Sequence, residues 1–405
     1  MKLAKLRVID LSAFLPGPYL TMTLADHGAD VIKIEPPGSG DPGRQIGLSD
    51  GPSTVFFRNF NRGKKSVVLD LKAPADRRKL LSLCETADVL VETFRPGVAE
   101  RLGIGYGALA SRNPRLVYCS ISAFGGAGPY RHRPAHDLAL EAMSGALSLT
   151  LGGDGAPALP AVAVADHLSA LHGLAGVLMA LLRRETTGRG DLVEVAMHDA
   201  MLAACANLVG PTFAENRQPV AQHERTSGGA AFYRVYRTRD QRHIALAGQE
   251  RKFVENLLNA LGRPDLVALC LKGPGPHQRP VVACLEAAFL QKTLAEAVDW
   301  LSGLDVCFGP VNTLPEAFAD ANVLAREMIV KDDLGRRHIA PVIRFRDEPA
   351  VPSLREPELG AVASIAFGAG RGDAAGGQVS RPVGGPHGAS LRARRRKRRA
   401  RVGRT

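Results

Sequence analysis

The chain has 405 residues, of which 45% are apolar and 5% aromatic, and this is enough apolar material for two hydrophobic cores. The formal net charge is +12, but residues 371–405 contain eleven Lys and Arg and a single Asp, so residues 1–370 carry only about +2. This distribution argues against a globular nucleic-acid-binding domain. The six Cys form no CxxC pair, which argues against a metal site and favours a reducing compartment.

The first third of the chain alternates strand-like and helix-like segments. In chain order the strand-like segments are LRVIDLS, DVIKIE, SVVLDL, DVLVETF and RLVYCSIS, and the helix-like segments are PYLTMTLADHGA and DRRKLLSLCETA. Short apolar runs separated by amphipathic helices predict an α/β fold, in which helices wrap a parallel sheet. No GxGxxG sequence follows the first strand, which argues against an NAD or FAD enzyme.

The rest of the chain predicts a second, smaller unit and a tail. A long apolar helix is expected from about 166 to 184, the strand-like SGGAAFYRVYRT and HIALAG begin the second unit, and RRHIAPVIRFR predicts a return strand. Beyond about residue 360 Gly, Ala and Arg dominate without apolar periodicity, which predicts disorder and suggests an aberrant ending. The predicted domains are 1–210 (large, α/β), 211–325 (smaller, α+β), 326–361 (return to the large domain) and 362–405 (disordered, Arg-rich).

The beginning of the chain, MKLAKLRVIDLS, leads directly into a strand pattern and has no signal-peptide core. We find no apolar run of 18 residues, which argues against a membrane span. A soluble, cytoplasmic protein is therefore expected, with neither a membrane nor a nucleic acid as partner.

Asp166 is the only carboxylate in the small, apolar run AVAVADHLSALHGL. An Asp at the beginning of a helix often caps it by accepting hydrogen bonds from the first free amides. The same position can instead hold a reactive carboxylate in a dry environment, since Ala and Val exclude water around it. The residues alone leave both interpretations open.

His136 and Asp137 are adjacent in PAHDLALEAMSG, so their side chains point in different directions on any regular element. His136 is either a hydrogen-bonded structural histidine or a functional one, and Asp137 either caps the following helix or contributes to a site. Glycine clusters in FGGAGPY and RTSGGAAFYR suit either tight turns or a close approach to an anion.

Several segments together resemble the class III CoA-transferase family, a superfamily that includes formyl-CoA and carnitine CoA-transferases and the α-methylacyl-CoA racemases. They are VIDLSAFLPGPYLTMTLADHGADVIKIEPPGSGD, NRGKKSVVLDLK, VETFRPGVAERLG, GPYRHRPAHD, VADHLSALHGLAGVLMALLRRETTGRGDLVEVAMHDA and DVCFGPVNTLPEAF. The resemblance runs from about residue 5 to about residue 350. It implies a Rossmann-like large domain, a smaller middle domain and a homodimer of two interlocked chains.

The resemblance also implies a CoA-transferase activity with Asp166 as the catalytic nucleophile. Asp166 would attack an acyl-CoA to give an acyl-aspartyl anhydride, the CoA thiolate would return to form an aspartyl-CoA thioester, and a carboxylic acid would then take the CoA. By similarity to the family's glycine loop, the amides of Gly228 and Gly229 would stabilise the oxyanions.

Acyl-CoA is implied as a substrate, with no permanently bound cofactor. Family positions that contact CoA match residues Leu15, Pro16, Leu69, Lys72, Thr93, Phe94, Arg95 and Arg101. Cationic side chains suit a ligand that carries three phosphate groups. The chain departs from formyl-CoA transferase at Pro36, where that enzyme has an arginine.

The racemase branch is the alternative function. Its catalytic residues match His136, Asp137 and Asp166, and its glutamate partner to the histidine matches Glu250. Two bases on opposite faces of an α-carbon, His136 and Asp166, would exchange a proton through a thioester enolate. The chain lacks the Asn-Tyr that usually follows the racemase His-Asp pair, so the transferase is the preferred prediction.

Overall fold

The computed structural model describes residues 1–362, and nearly all of the predicted disordered tail, residues 362–405, lies outside the described residues. The strands of the described part are β1 Arg7–Asp10, β2 Asp30–Glu35, β3 Lys65–Val68, β4 Val89–Glu92, β5 Val117–Ser122, β6 Leu192–Ala196, β7 Tyr233–Arg237, β8 His243–Ala247, β9 Phe308–Pro310, β10 Ile329–Lys331 and β11 Arg337–Ile339. Six of them form a fully parallel sheet in the order β3-β2-β1-β4-β5-β6. The predicted α/β class with a parallel sheet is confirmed.

Helices that precede β7 cover both faces of the parallel sheet, and helices that follow β8 pack onto the strands of the second unit. They are α1 Pro16–Asp26, α2 Val55–Asn61, α3 Pro74–Cys84, α4 Val98–Arg101, α5 Tyr106–Arg112, α6 Asp137–Met143, α7 Val164–Thr187, α8 Met197–Ala204, α9 Gly210–Glu215, α10 Arg251–Ala260, α11 Val267–Cys270, α12 Arg279–Leu290, α13 Leu294–Ser302, α14 Leu314–Ala319 and α15 Ala321–Ala325. Strands of a parallel sheet need such crossovers, because each must begin again at the same edge.

Strand β1 shows how the sheet divides two cores. Val8 packs with α1 and α7, whereas its neighbour Ile9 packs with α3 and α5 on the opposite face. Both side chains are completely buried, because successive residues of a strand point to opposite faces and both faces are covered. The result is a three-layer arrangement of helices, sheet and helices.

The strand order reverses at β1, which pairs with β2 on one side and with β4 on the other. The chain leaves β1 toward one half of the sheet and leaves β4 toward the other half. The loops that follow these two strands, residues 11–15 and 93–97, therefore diverge and leave a crevice between them. In open α/β sheets, ligands bind in such a crevice at the carboxyl ends of the strands.

Helix α7 packs closely against α1 and the sheet because two of its glycines permit a close approach. A Cβ at Gly173 would lie 2.7 Å from Leu20 Cδ1, and one at Gly176 would lie 2.5 Å from Val193 Cγ1. Within the described residues, α7 is the one helix long and apolar enough to cross a membrane by length and composition, a weak criterion that core helices also meet.

The second unit has its own core. Strands β7, β8 and β9 form an antiparallel sheet, onto which α10, α12 and α13 pack. A capping box at Thr293 and Glu296 fixes the beginning of α13. This arrangement agrees with an α+β middle region, and the boundaries at 210 and 325 stay predictions.

The segment RRHIAPVIRFR does not form the predicted return strand. Only Arg337–Ile339 is extended, and it pairs antiparallel with β10 rather than with the parallel sheet. Pro341 has no amide hydrogen to donate to a sheet, which opposes continuation of the strand. The segment contacts the large unit through several hydrogen bonds, among them Arg62 Nη1 to the Ile339 carbonyl (2.7 Å) and Arg336 Nη1 to the Asp50 carbonyl (3.3 Å), and it forms part of the wall of a cavity.

Candidate active site

Two adjoining cavities open at the carboxyl edge of the parallel sheet. The first has a volume of about 400 Å³ and the second about 380 Å³, and both are lined by Ala13 and Phe94. Ala13, from the loop after β1, and Phe94, from the loop after β4, therefore lie at the boundary between the two cavities. The first cavity is otherwise lined by Phe14, Pro16, Thr93, Arg95, Pro96, Ile121, Ser122, Ala123, Arg131, Arg133, Pro134, Ala135, His136, Asp166 and Met197.

The second cavity lies over β2 and β3 and is lined mainly by apolar side chains. Its walls include Leu11, Ser12, Lys33, Ile34, Glu35, Pro36, Asp41, Pro42, Leu69, Asp70, Leu71, Lys72, Val98 and Leu102. A flat apolar group with a charged end would fit such a space, because the apolar walls surround it and Lys72 lies beside them.

Most of the predicted ligand residues lie on these cavities. Pro16, Thr93, Phe94 and Arg95 line the first, and Leu69, Lys72 and Phe94 line the second. Leu15 is buried at the residue before α1, and Arg101 ends α4, between the wall residues Val98 and Leu102. Neither Leu15 nor Arg101 itself lines a described cavity.

Asp166 is the third residue of α7, since the helix begins at Val164 and not at about 166. The carboxylate of Asp166 does not cap the helix. The first amides of α7 are instead taken by side chains of α6: Val164 N donates to Glu141 Oε1 (3.3 Å), and Asp166 N donates to Asp137 Oδ1 (3.2 Å). The interpretation of Asp166 as a cap is wrong, because residues distant in sequence perform that function.

The Asp166 carboxylate is half-buried and faces the first cavity. Among residues 1–362 no amide or side chain is hydrogen-bonded to its oxygens, although its own amide is held by Asp137. Burial, and then the negative charge of Asp137, raise the pKa of Asp166 to about 7. A carboxylate that lacks hydrogen-bond donors is a stronger nucleophile and base than a solvated one.

His136 and Asp137 diverge, as adjacent residues must. His136 lines the first cavity, where its ring lies edge-to-face with Phe14 at 5.9 Å between centroids. Asp137 turns toward α7. Phe14 itself has a φ of +65°, a conformation that costs a bulky residue energy and is found mostly at functional sites.

A buried charge network holds the loop after β1 in place. Lys33 Nζ lies 2.7 Å from Asp41 Oδ2 and donates to the Ser12 carbonyl at 2.8 Å. Lys64 Nζ donates to Asp10 Oδ2 at 2.9 Å. Burial alone would raise the pKa of Asp10, but Lys33 and Lys64 outweigh it and hold that pKa well below its usual range. These buried ion pairs and hydrogen bonds hold the loop after β1, which lies between the two cavities, in one conformation.

Three arginines line the first cavity, at positions 95, 131 and 133. Within residues 1–362 none of their guanidinium groups forms an ion pair, whereas many other arginines of the chain do. Arg133 lies over the Tyr130 ring at 5.3 Å, which orients its side chain. Uncompensated guanidinium groups around a cavity favour anionic ligands, in particular phosphates and carboxylates.

The single chain does not assemble every predicted site residue. Glu250 precedes α10, and Gly228 and Gly229 precede β7, and none of the three lines the Asp166 cavity. The Gly229 amide already donates to the Glu224 carbonyl at 3.0 Å. Within one described chain, the predicted contact of Glu250 with His136 and the oxyanion role of Gly229 are therefore not formed.

Glu141, Arg131 and Arg133 were not predicted as site residues from the sequence. Both arginines lie in the segment GPYRHRPAHD, and their positions on either side of His132 were the available signal. Glu141 carried no local signal, because its partner Val164 lies 23 residues further along the chain. Among residues 1–362 no group of three His, Cys, Asp or Glu side chains is placed to hold a metal ion.

The sequence model described as CoA-transferase family III matches residues 3–362. The chain belongs to this family. This family III CoA-transferase is 37% identical over 332 residues to acetyl-CoA:oxalate CoA-transferase of Acetobacter aceti, with 80% of this chain and 85% of that protein covered. It is 30% identical over 330 residues to succinyl-CoA:glutarate CoA-transferase of Mus musculus, with 80% and 75% covered.

The fold is also similar to a solved structure. The crystal structure of a CAIB/BAIF family protein from Brucella suis matches with a TM-score of 0.78 and 30% sequence identity, over 89% of this chain and 97% of that one. The family III CoA-transferase therefore shares both its sequence pattern and its backbone with the family, and its expected substrates are CoA thioesters.

Proposed function

We propose that this protein moves coenzyme A from an acyl-CoA to a carboxylic acid and that Asp166 is its nucleophile. The observation that carries the proposal is the Asp166 carboxylate, which has no hydrogen-bond donor among the described residues and shares its cavity with three arginines without ion pairs. This combination suits attack on a thioester whose remainder is anionic.

The chemistry needs only the carboxylate and the two substrates. An oxygen of Asp166 attacks the thioester carbonyl, the C–S bond breaks, and an acyl-aspartyl anhydride and the CoA thiolate result. The thiolate attacks the aspartyl carbonyl and expels the donor carboxylate, which leaves an aspartyl-CoA thioester. An acceptor carboxylate reverses both steps, because it forms a new anhydride from which the thiolate takes the acceptor acyl group and frees Asp166.

Coenzyme A fits across both cavities. Its adenine would lie against the apolar walls of the second cavity, near Leu69, with Lys72 beside its phosphates. Its pantetheine arm would pass Phe94 at the shared boundary and bring the thioester to Asp166. Arg95, which follows Phe94 and lines the first cavity, would neutralise a phosphate of the ligand.

The acid substrates are proposed to be dicarboxylic. One carboxylate reacts with Asp166, and a second would meet Arg131 or Arg133 in the same cavity. The names of the related enzymes, which include oxalate, glutarate and succinyl-CoA, support this choice. An arginine that pairs with the second carboxylate discriminates against an acid that lacks this group.

A racemase is the second candidate, because His136 and Asp166 line one cavity. Incubation with a chiral 2-methylacyl-CoA in deuterated water separates the two functions. CoA that appears on an added dicarboxylic acid, without deuterium at the α-carbon, supports the transferase. Deuterium at the α-carbon without an acceptor supports the racemase and overturns the transferase proposal.

We also propose a homodimer in which a second copy covers the outer face of α7. Leu178, Met179 and Leu182 are exposed there, with Leu182 at 74%. The interlocked arrangement implied by the family would also supply Glu250 and the glycines from the second chain. Analytical ultracentrifugation of the wild type tests this: the sedimentation coefficient of a dimer is expected, and that of a monomer would contradict the proposed interface.

A further inference from the structure

The beginning of α7 is held by two carboxyl groups of one short helix. Glu141 and Asp137 lie one turn apart on α6, and their oxygens accept from Val164 N (3.3 Å) and Asp166 N (3.2 Å). The residue before α7, Ala163, has no side chain that can cap a helix. Since Asp166 belongs to the first turn of α7, the position of its carboxylate depends on these two bonds.

Glu141 is 3% exposed and hydrogen-bonds to Asp137 as well as to α7. Two carboxyl groups in hydrogen-bond contact must hold a proton between them, because two carboxylates would repel each other and neither could donate. Burial, and then the bond with Asp137, raise the pKa of Glu141, which agrees with a proton on that side.

We infer that Glu141 is a positioning residue that works as a neutral acid: its O–H donates to Asp137, and its other oxygen accepts from Val164 N. This inference rests on the proposed function of Asp166. Asp137 is then the one negative charge beside the nucleophile. A second anion at Glu141 would add repulsion to Asp166 and would break the bond that fixes Asp137.

No other titratable group bonds to Glu141 within the described residues. Helix α6 packs against α7 and α8. On α7, the ring of His167 bonds to the Ala163 carbonyl at 2.7 Å. On α8, His198 lies against Phe124, and Asp199 is exposed to solvent. Ionisation of Glu141 is therefore expected to affect Asp137 and Asp166 more than any other titratable group of the described residues.

The test compares Glu141→Gln with Glu141→Met in the full chain. An amide can donate to Asp137 and accept from Val164 N, but it cannot ionise, whereas methionine removes both bonds. We expect kcat of Glu141→Gln within about 3-fold of the wild type near the optimum pH, and a fall in kcat of about 10- to 100-fold for Glu141→Met. The KM for the acyl-CoA should change little in either variant.

The pH profile separates a neutral acid from a merely structural residue. The wild type should lose kcat as pH rises through the raised pKa of Glu141, and Glu141→Gln should lack this limb on the alkaline side of the optimum. A 10-fold or larger loss in Glu141→Gln at the optimum, or an alkaline limb that persists in that variant, would overturn the inference.

A failure of the proposed function itself gives a different result, in which the wild type also transfers no CoA. Carbon-13 NMR of labelled Glu carboxyls then still tests the inference. A resonance with a raised pKa that is missing from Glu141→Gln supports it, and the absence of such a resonance from the wild type contradicts it.

Discussion

The amide of Asp166 donates to Oδ1 of Asp137 at 3.2 Å, so the residue that raises the pKa of the proposed nucleophile also holds its backbone. One side chain thereby couples the position and the charge of Asp166. Asp137 therefore has two effects on Asp166, a negative charge and a hydrogen bond. Different substitutions of Asp137 can remove the charge alone or both together.

Replacement of Asp137 by Asn is expected to shift the pH dependence of transfer to lower pH. Asp166 must be ionised to attack, so the wild-type rate should rise as pH passes through about 7, the raised pKa. Asn keeps an oxygen for the Asp166 amide but removes the charge, which is the second cause of the shift after burial. The midpoint of the acid limb of kcat should fall by about 0.5–1 unit.

Asp137→Ala is the matched control, because it removes the charge and the hydrogen bond together. It should lower kcat at every pH, with the loss measured by steady-state kinetics from pH 5 to 9. An acid limb with the same midpoint in Asp137→Asn and in the wild type would show that Asp137 does not set the ionisation of Asp166.

Asp166→Asn is expected to stabilise the protein at alkaline pH while abolishing transfer. A folded-state pKa of about 7 against the ordinary 3.8 means that the folded protein holds the proton more tightly. Wild-type stability therefore falls as pH rises from about 4 to above 7, and the Asn variant escapes this loss. The gain in unfolding free energy should reach about 1–3 kcal/mol at pH 8 and vanish near pH 4.

Chemical denaturation at pH 4 and pH 8 measures this difference. Asp299→Asn on the exposed face of α13 is the control for replacing a carboxylate outside the cavity. Equal stability of Asp166→Asn and the wild type at pH 8 would mean that burial of Asp166 imposes no cost on the fold.

Arg131→Met and Arg133→Met are expected to reduce the preference for dicarboxylic acceptors. Loss of a charged hydrogen bond to the second carboxylate should lower kcat/KM for a dicarboxylic acid by about 10- to 100-fold in at least one variant. A monocarboxylic acid of the same length should lose less than about 3-fold. Initial rates with both acceptors at a saturating acyl-CoA concentration give this ratio.

Arg189→Met is the matched control, since Arg189 is exposed just beyond α7 and lies outside the cavity. Equal losses for both acceptors, accompanied by a higher KM for the acyl-CoA, would assign the arginines to CoA phosphates instead. That result would leave transfer through Asp166 standing and remove the dicarboxylate specificity.

The local pattern of apolar residues was sufficient to predict the strands of the parallel sheet, but it did not predict the buried charged residues within them. DVIKIE predicts a buried strand, and β2 matches it from Asp30 to Glu35. Lys33 lies in that strand with 0% exposure, and its partner Asp41 comes from a loop that no periodicity describes. A buried charge is tolerable only with its partner in place, so its position follows from the tertiary structure.

In the candidate site, too, the contacts between residues distant in sequence were not predictable from the local pattern. Asp166 stood out as an isolated carboxylate, yet the beginning of its helix was misplaced by two residues. Caps are usually sought in the residue before a helix, and here they come from Asp137 and Glu141, which precede the helix by more than twenty residues. The return strand failed for a local reason, since Pro341 follows Ile339 closely and cannot donate to a sheet.

Mass spectrometry of the Asp166 peptide, after incubation with an acyl-CoA and rapid acid quenching, tests covalent catalysis by Asp166 most directly. We predict that the wild-type peptide gains the mass of coenzyme A less one water, that a dicarboxylic acid removes the adduct, and that Asp166→Asn never forms it. Turnover by the wild type with no adduct at Asp166, or full activity of Asp166→Asn, would contradict the account.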